Sequence, residues 1–329
     1  MTMPTDATHP PNNTDEYAGS LPQRLPKDVL VSLSQVSGAR FLARVALEWA
    51  LFIGAAWLCD RFWNPLLYFL TVLWIGARMN ALSVLMHEAT HYRAVKSRWL
   101  NDALGELLLA WPLGITLHGY RNNHFLHHRY LNTEMDPDWV RNRPPQFQFP
   151  TTRKKIYFEL VKYLLFINLP YEMKQAKGAK ELNDVPPRIK AGRAVFLLTA
   201  IGLSIYFDLW KQLLLYWAVP ITTSFLLFIF LRSVAEHYGG FDYDHPLSQT
   251  RTVIPTWWEK LLVGPHNINY HLEHHLYPSV PCHNLPKLHQ ELMRDAAYRE
   301  KARITKGYMS GVMAEVEWSN PRPHAAKIR

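Results

Sequence analysis

The sequence has little cysteine, no signal-like start and no internal repeat. Cys59 and Cys282 are its only 2 cysteines, which excludes a disulfide framework and a CxxC metal site. The start, MTMPTDATHPPNNTDEYAG, carries acids and lacks a basic stretch before an apolar core, so it does not have the pattern of a secretory signal. No repeat of solenoid length is visible, which excludes a solenoid.

Apolar residues, by contrast, are abundant and gather in four blocks. The blocks are Phe41–Cys59, Leu66–Met86, Ala194–Leu209 and Leu213–Leu231. Each is close to the length that crosses about 30 Å of hydrocarbon. Only DRFWNP separates the first two blocks and WKQ the last two, so each pair is typical of a hairpin. The sequence therefore predicts an all-α, multi-pass membrane protein with four transmembrane helices in two hairpins.

The basic residues are distributed unevenly around these blocks. Of 36 Lys and Arg residues, only Arg61 and Lys211 fall in the short turns, and Arg44 and Arg78 fall inside apolar blocks. The remaining Lys and Arg residues lie on the side of the membrane opposite to these turns. By the positive-inside rule, that side is cytoplasmic and also holds both termini and the middle segment. This asymmetry disfavours four buried helices of a soluble protein. The net charge of +9 fits contact with anionic lipid or an acidic protein partner. Alternatively, it only reflects the excess of Lys and Arg on the cytoplasmic side. No nucleic-acid partner is predicted.

Three segments follow from this topology. Residues 1–40 are expected to form an N-terminal cytoplasmic tail, residues 41–293 the membrane domain, and residues 294–329 a C-terminal cytoplasmic segment. The apolar stretch Asp102–Leu117 is short and interrupted by Pro112, so we expect it to be interfacial or re-entrant rather than spanning.

Half of the 16 histidines lie in three clusters. HEATH supplies His87 and His91, HFLHH supplies His124, His127 and His128, and HLEHH supplies His271, His274 and His275. Spacings of three and four residues bring side chains onto one face of a helix, so each HxxHH can direct three imidazoles at one point. The pattern indicates a metal site.

A ninth candidate ligand is His237 in RSVAEHYGG, just past the last apolar block. A helix from Asn64 to His87 is about 35 Å long and one from Leu213 to His237 about 36 Å long. Both exceed the hydrocarbon thickness by a similar amount. We therefore expect all four histidine groups to converge in a helical cap at one height above the cytoplasmic face.

The number of histidines bears on the metal. HExxH is also the zinc-peptidase motif, with Glu88 as the base, but a hydrolase fills only three zinc positions with protein ligands. Nine histidines are too many for one zinc and enough for two metals, and two irons favour oxidation over hydrolysis. A metal transporter would place its ligands at mid-membrane depth, whereas these lie beyond the helix ends. The peptidase and the transporter stay as alternatives.

HEATH, HFLHH and HLEHHLYPSVP, with RYLNTEMDPDW after the second box, resemble the membrane fatty acid desaturase superfamily over roughly Phe41–Met293. The first and third boxes are more similar to acyl-lipid desaturases than to the acyl-CoA branch. The chain departs from some relatives at Ser233, where they carry an asparagine four residues before the lone histidine.

The resemblance implies two non-haem iron ions and dioxygen as co-substrate. The implied ligands are His87, His91, His124, His127, His128, His271, His274 and His275, with His237 matching the family's lone histidine. The implied reaction introduces a double bond into a long fatty acyl chain of a lipid. Hydroxylation, ketolation and alkene-forming decarboxylation stay open, because sub-ångström placement of the substrate carbon decides between them.

The resemblance also bears on partners and location. Neither tail contains a compact redox domain, so we expect electrons from a separate ferredoxin, rubredoxin or cytochrome b5. The lack of a fused redox domain also favours a bacterial inner membrane, with the active site on the cytoplasmic side.

Acidic residues neighbour the proposed ligands. They are Glu88, Glu236, Glu273, Glu134, Asp136 and Asp138. Metal-bound imidazoles usually donate their other N–H to a carboxylate or carbonyl, so some of these acids are expected to orient the ligands, Asp136 and Asp138 above all. The alternative for Glu88 and Glu273 is that they point to solvent.

Two polar residues, Arg78 and Asn80, lie inside the second apolar block. Buried charge is costly in a membrane, so Arg78 either approaches the substrate's polar end or the metal's surroundings, or snorkels to lipid phosphates. Among the other histidines, His266 is the strongest candidate to join the site. Surface or packing positions are expected for His118, His245, His283 and His289.

Overall fold

A computed structural model describes residues 25–138, 145–182, 185–239 and 245–317, which are mostly helical. Most of the predicted N-terminal tail and the last part of the predicted C-terminal segment lie outside these ranges. The helices are α1 (Lys27–Leu33), α2 (Gly38–Arg61), α3 (Pro65–Thr90), α4 (Arg98–Gly105), α5 (Leu117–Arg129), α6 (Arg153–Leu164), α7 (Leu169–Leu182), α8 (Pro187–Tyr206), α9 (Trp210–Leu213), α10 (Val219–Thr222), α11 (Ser224–His237), α12 (Trp257–Leu262), α13 (His271–Leu276), α14 (Leu285–Leu292), α15 (Ala296–Lys301) and α16 (Met313–Glu315).

Among the described residues, 4 helical segments are long and apolar enough to cross a membrane: Lys27–Arg61, Pro65–Thr90, Pro187–Tyr206 and Trp210–His237. Three of them contain a predicted apolar block, and Pro187–Tyr206 contains all but the last three residues of Ala194–Leu209, which confirms that these blocks form long helices. Along α8, large apolar side chains such as Leu198 (69% exposed) face outward. An apolar helix with so little protein around it needs an apolar environment.

The first two long helices lie antiparallel because the turn between them is well capped. The Asn64 side chain accepts a hydrogen bond from the backbone N–H of Leu67 (2.8 Å), and Pro65 occupies the first helical position. Further along, the Trp74 indole donates to the backbone carbonyl of Leu51 (3.3 Å). Residues equally distant from the turn therefore face each other.

Helix α3 is buried from Ile75 to Thr90 and forms the centre of the bundle. Helix α11 packs closely on it at Gly76, where an added Cβ would lie 2.6 Å from the Ser224 Cβ and 2.7 Å from the Phe225 backbone nitrogen. The Ser224 hydroxyl donates to the backbone carbonyl of Val72 (2.6 Å). This close approach fixes α11 on α3, and both helices carry histidines at their far ends.

The all-α prediction missed two short strands. Strand β1 (Thr252–Ile254) pairs in parallel with β2 (Ile304–Lys306), in the register Thr252 to Ile304. Three residues are too few for an alternating pattern to be read from sequence. The pairing brings a late part of the chain beside the third histidine box.

The region after residue 294 contributes to the core. Tyr298 is buried with Leu272 and Leu276 of α13. Val312 is buried in the same cluster as Val234 of α11. Two of the elements that carry histidines therefore pack against this late part of the chain.

The stretch Asp102–Leu117 does not form a long helix. It continues α4 as a π-helical turn, Glu106–Ala110, bends at Gly114 (φ 75°) and returns as α5. The buried Glu106 carboxylate accepts hydrogen bonds from the backbone N–H groups of Leu117 (2.9 Å) and His118 (3.2 Å). This reversal directs α5 and its histidines back towards the end of α3.

The close approach at Gly76 gives a stability prediction. We expect Gly76→Ala to lower the free energy of unfolding by roughly 1–3 kcal/mol, because the added methyl group meets α11 backbone. Gly54→Ala is the matched control, since an added Cβ there meets nothing within 4 Å. It should be neutral or slightly stabilising. Thermal unfolding of both variants in one detergent is the measurement, and equal midpoints would contradict the prediction.

Candidate metal centre

The histidines predicted as ligands come together in two groups. The first contains His87, His91, His124, His128 and His274, and the second contains His127, His237, His271 and His275. Within each group, one potential ligand atom per residue lies within 4.8 Å of the others. The rings of His128 and His275, one from each group, stack with centroids 4.2 Å apart, so the two groups adjoin.

Four elements supply these rings, each near a helix end. His87 lies in the last turn of α3 and His91 directly follows that helix. His237 is the last residue of α11. The second box occupies the last turns of α5, and the third box forms most of α13. Each predicted spacing of three or four residues therefore lies on a helix or at its end.

The ring nitrogens point at one another. The Nε2 atom of His128 lies 3.0 Å from that of His124 and 3.1 Å from that of His274. In the second group, the Nε2 atom of His271 lies 3.0 Å from that of His237 and 3.1 Å from that of His275. Two imidazoles that bind one ion at roughly 2.1 Å and at right angles place their nitrogens about 3 Å apart. The donor set therefore fits a metal ion in each group.

Unsatisfied polar atoms lead to the same interpretation. Both ring nitrogens of His87 are buried and have no hydrogen-bond partner among the described residues. A buried polar group without a partner is costly, and an ion that accepts the nitrogen lone pair removes that cost.

Most of these rings are held in the neutral form that a metal requires. Burial and, after it, the neighbouring imidazoles lower the pKa of His124, His128, His271 and His275 well below the ordinary value. Burial, followed by His127 and Arg232, lowers the pKa of His274 to about 3. These imidazoles are therefore uncharged near pH 7 and keep a lone pair for a ligand bond.

One histidine differs because a carboxylate faces it. The Nδ1 atom of His127 lies 3.0 Å from both carboxylate oxygens of Asp136. Burial lowers the pKa of His127, but the charge of Asp136 and its hydrogen bond outweigh burial and raise this pKa to about 9. Backbone N–H groups of Asn132 and Asp138 donate to Asp136 (2.9 Å each). Asp136 thus orients His127 and favours positive charge at its ring.

Two of the other acids connect the histidine boxes to distant parts of the chain. Glu88 is buried and accepts from the Cys282 backbone N–H (2.8 Å), which ties the first box to the chain after the third. Glu273 is also buried and interacts with Thr252, His289 and Tyr298, whose hydroxyl donates to it (2.7 Å). The alternative in which these two acids face solvent is therefore wrong. Both anchor the boxes through other elements.

A polar chain connects α3 to the second histidine group. The Arg232 guanidinium lies between the Asn80 side-chain oxygen (3.1 Å) and the Glu236 carboxylate (3.0 Å). The other oxygen of Glu236 lies 3.8 Å from the Nε2 atom of His271. Asn80 therefore belongs to the surroundings of the candidate metal centre.

The other histidines that the structure describes lie outside both groups. His266, the strongest candidate among the other histidines, does not join the site: its Nε2 atom lies 3.0 Å from the Glu48 carboxylate, so it belongs to another cluster. His118 pairs with Glu106 (2.8 Å). His289 contacts Glu273. Distance along the chain misleads for His266, because the backbone between it and the third box turns away.

Sequence reasoning missed Arg251, which is completely buried. Its guanidinium donates to the backbone carbonyl of Ala235 (2.7 Å), to that of Gly239, and to the Glu315 carboxylate (2.9 Å). It therefore holds the end of α11, where His237 lies, and connects it to α16. A single arginine in QTRTVI carries no motif that could have revealed this role.

The contact between Asp136 and His127 gives a prediction for metal binding. Asp136→Asn should weaken binding of a divalent metal in the second group by about 10- to 100-fold, because the ring loses a charged acceptor. Asp138→Asn is the control, since its carboxylate is 45% exposed and 3.9 Å from the same nitrogen. Metal retained after dialysis against graded chelator is the measurement. Equal loss in both variants would contradict the prediction.

Comparison with known proteins agrees with this geometry. The family model described as fatty acid desaturase matches residues 62–308. Dihydrorhizobitoxine desaturase of Bradyrhizobium elkanii is 31% identical over 75% of this chain and 73% of its own length. Beta-carotene ketolase of Paracoccus sp. (strain N81106 / MBIC 01143) is 28% identical over 80% of this chain and 94% of its own. The sn-1 acyl-lipid omega-3 desaturase (ferredoxin) of Nostoc sp. (strain 36) is 25% identical over 72% of this chain and 70% of its own length. The chain therefore belongs to the fatty acid desaturase family, as its histidine boxes predicted.

Proposed function

We propose that this protein is a membrane-bound, dioxygen-dependent oxidoreductase that uses two iron ions to introduce a double bond into a long fatty acyl chain. The observation that carries the proposal is the meeting of nine histidines in two adjoining groups of five and four. All nine are proposed as iron ligands. A single zinc would use fewer than half of them.

The net reaction balances with an external source of electrons. A CH2–CH2 unit of the acyl chain loses two hydrogens and becomes CH=CH, while dioxygen, two electrons and two protons complete the formation of two water molecules. Bound iron would supply dioxygen activation and the power to remove hydrogen from an unactivated carbon.

The protein's own side chains would prepare the site for this chemistry. Burial keeps most of the imidazoles neutral, and Asp136 holds the Nδ1 side of His127 so that its Nε2 atom faces its group. Glu88, Asp136 and Glu273 each accept hydrogen bonds from other parts of the chain, which keeps the boxes in place. A rigid, dry donor set is what a reactive oxidant requires, since water and mobile side chains would compete with the substrate.

We further propose that the four long helices span the membrane as two hairpins and that the histidine cap faces the cytoplasm. The concentration of Lys and Arg on that side supports this orientation. The relative from Nostoc carries ferredoxin in its name, which favours a ferredoxin as electron donor, with rubredoxin and cytochrome b5 as alternatives. A bacterial inner membrane is the proposed location.

The choice of reaction rests on the relatives and on the third box. HLEHHLYPSVP resembles acyl-lipid desaturases, and relatives with that name support a lipid-bound acyl chain as substrate. Ketolation of an apolar ring is the second candidate, because the beta-carotene ketolase aligns over 94% of its own length. Both reactions use the same metal site and differ in where the substrate carbon lies.

Metal content and product analysis test the proposal together. Purified protein should contain about two iron ions per chain, as expected for two all-imidazole sites. Lipids from cells that express it should gain an alkene, seen by gas chromatography and mass spectrometry. New carbonyl products without an alkene would favour the ketolase, and one zinc per chain without iron would overturn the oxidoreductase.

Two variants separate the oxygenase from a zinc peptidase. His271→Ala should abolish lipid oxidation and lower the iron content, because His271 contacts two other rings of its group. Glu88→Gln should retain most of the activity, since glutamine still offers an oxygen to the Cys282 backbone N–H. A peptidase predicts the reverse, with loss of activity from Glu88→Gln and little effect of His271→Ala.

A further inference from the structure

An apolar groove lies between α2 and α3, away from the histidines. It has a volume of about 450 Å³ and is lined by Ala55, Leu58, Leu70, Trp74 and Leu262, among others. The groove is open to the outside, and its walls offer contacts to hydrocarbon rather than to a polar ligand. An unbranched acyl chain is the kind of molecule that fills such a space.

A second, more polar cavity of about 260 Å³, here called the mouth, lies one helical turn further along α3. Arg78, which lines the mouth, lies with its guanidinium 4.6 Å from the centre of the Trp74 ring, which lines the groove. Leu261 and Leu262 of α12 line the mouth and the groove respectively. One amphiphilic molecule can therefore occupy both.

Three buried ionisable groups meet at the mouth. The Glu48 carboxylate pairs with Arg78 through one oxygen (2.9 Å) and with His266 through the other (3.0 Å). Arg78 is 1% exposed, so it does not snorkel. Its Nε atom is buried without a hydrogen-bond partner among the described residues. Ionisable groups inside an apolar bundle are costly and usually mark a ligand site.

The backbone at His266 supports the idea of a built site. His266 and Asn267 have φ values of 53° and 68°, in the left-handed region that non-glycine residues rarely adopt. The Asn267 side chain donates to the backbone carbonyl of Cys282 (2.9 Å), which holds this turn in place.

Helix α12 places an aromatic and a basic side chain beside the mouth. Arg78 donates to the backbone carbonyl of Leu261, and Asn80 to that of Val263 (3.1 Å), so α12 is fastened to α3. The same helix exposes Trp257 (80%) and Lys260 to the surroundings. Tryptophan and lysine at the end of an apolar region are typical of a membrane interface.

A chain in this groove would not reach the candidate metal centre. Along α3, Leu70 lies about 12 Å from Arg78 in one direction, and His87 lies about 13.5 Å from it in the other. A molecule with its head at Arg78 and its tail at Leu70 therefore extends away from the histidines. The groove is thus separate from the position where a substrate is oxidised.

We propose that this groove and mouth bind one anionic phospholipid of the surrounding bilayer. One acyl chain fills the groove, and the phosphate lies at Lys260. Arg78 and Glu48 cancel each other's charge, so Lys260 gives the mouth its positive charge. The bound lipid ties α2, α3 and α12 together. Its binding rests on the proposed insertion of this protein in a membrane but not on the proposed reaction.

Lipid titration of the full-length protein in detergent tests the proposal. Dioleoyl phosphatidylglycerol should raise the unfolding temperature more than dioleoyl phosphatidylcholine, and native mass spectrometry should retain one such lipid. Lys260→Gln should weaken the apparent affinity for phosphatidylglycerol about fivefold. Ala55→Phe should remove the stabilisation by both lipids, because the phenyl ring fills the groove. Glycerophosphate alone should give no shift.

Matched controls keep each outcome interpretable. Lys287→Gln removes an exposed lysine on α14, and Gly54→Phe adds the same ring beside Ala55 at a position open to the outside. Both should bind lipid like the unaltered protein. Equal stabilisation by the two phospholipids, equal losses in Lys260→Gln and Lys287→Gln, or full binding by Ala55→Phe would each overturn the proposal. None of these readouts depends on iron or on lipid oxidation.

Discussion

The structure depends on the gathering of nine imidazoles, most of them buried, near the ends of helices. Imidazole nitrogens lose their water when they enter such a pocket, and this loss must be offset by other partners. Here the Nε2 atoms approach one another to about 3 Å, and both nitrogens of His87 lack a hydrogen-bond partner within the part of the chain that the structure describes. A pair of metal ions is the partner that satisfies this arrangement best, because each ion accepts several lone pairs at once.

Other elements hold the boxes through buried carboxylates. Glu88 joins the end of α3 to the segment after α13, Asp136 joins the second box to the loop behind it, and Glu273 joins α13 to β1, α14 and α15. Arg251, a buried cation, likewise holds the end of α11 by donating to the backbone carbonyl of Ala235. Each contact is a charge-assisted hydrogen bond in a dry interior, which is stronger than its surface equivalent. The histidines are therefore positioned by long-range contacts as well as by helix spacing.

Helix α3 connects two regions of different chemistry. Near one end it carries the first histidine box, and in its middle it carries Arg78 and Asn80. Asn80 contacts Arg232, and through it Glu236 beside the second histidine group. Arg78 and Glu48, on the other side, form the polar mouth of the apolar groove. The apolar groove and the candidate metal centre therefore share one helix.

The sequence by itself determined the long apolar helices and the spacing of the clustered histidines, because hydrophobic length and helical period are local properties. It did not reveal the two short strands or the role of Arg251. Only the tertiary structure decided how the histidines divide into two groups, with His127 apart from its neighbour His128. It also decided that His266 faces Glu48 instead of joining the histidines. Such contacts join residues distant in the chain, and they follow from how helices pack rather than from any local pattern.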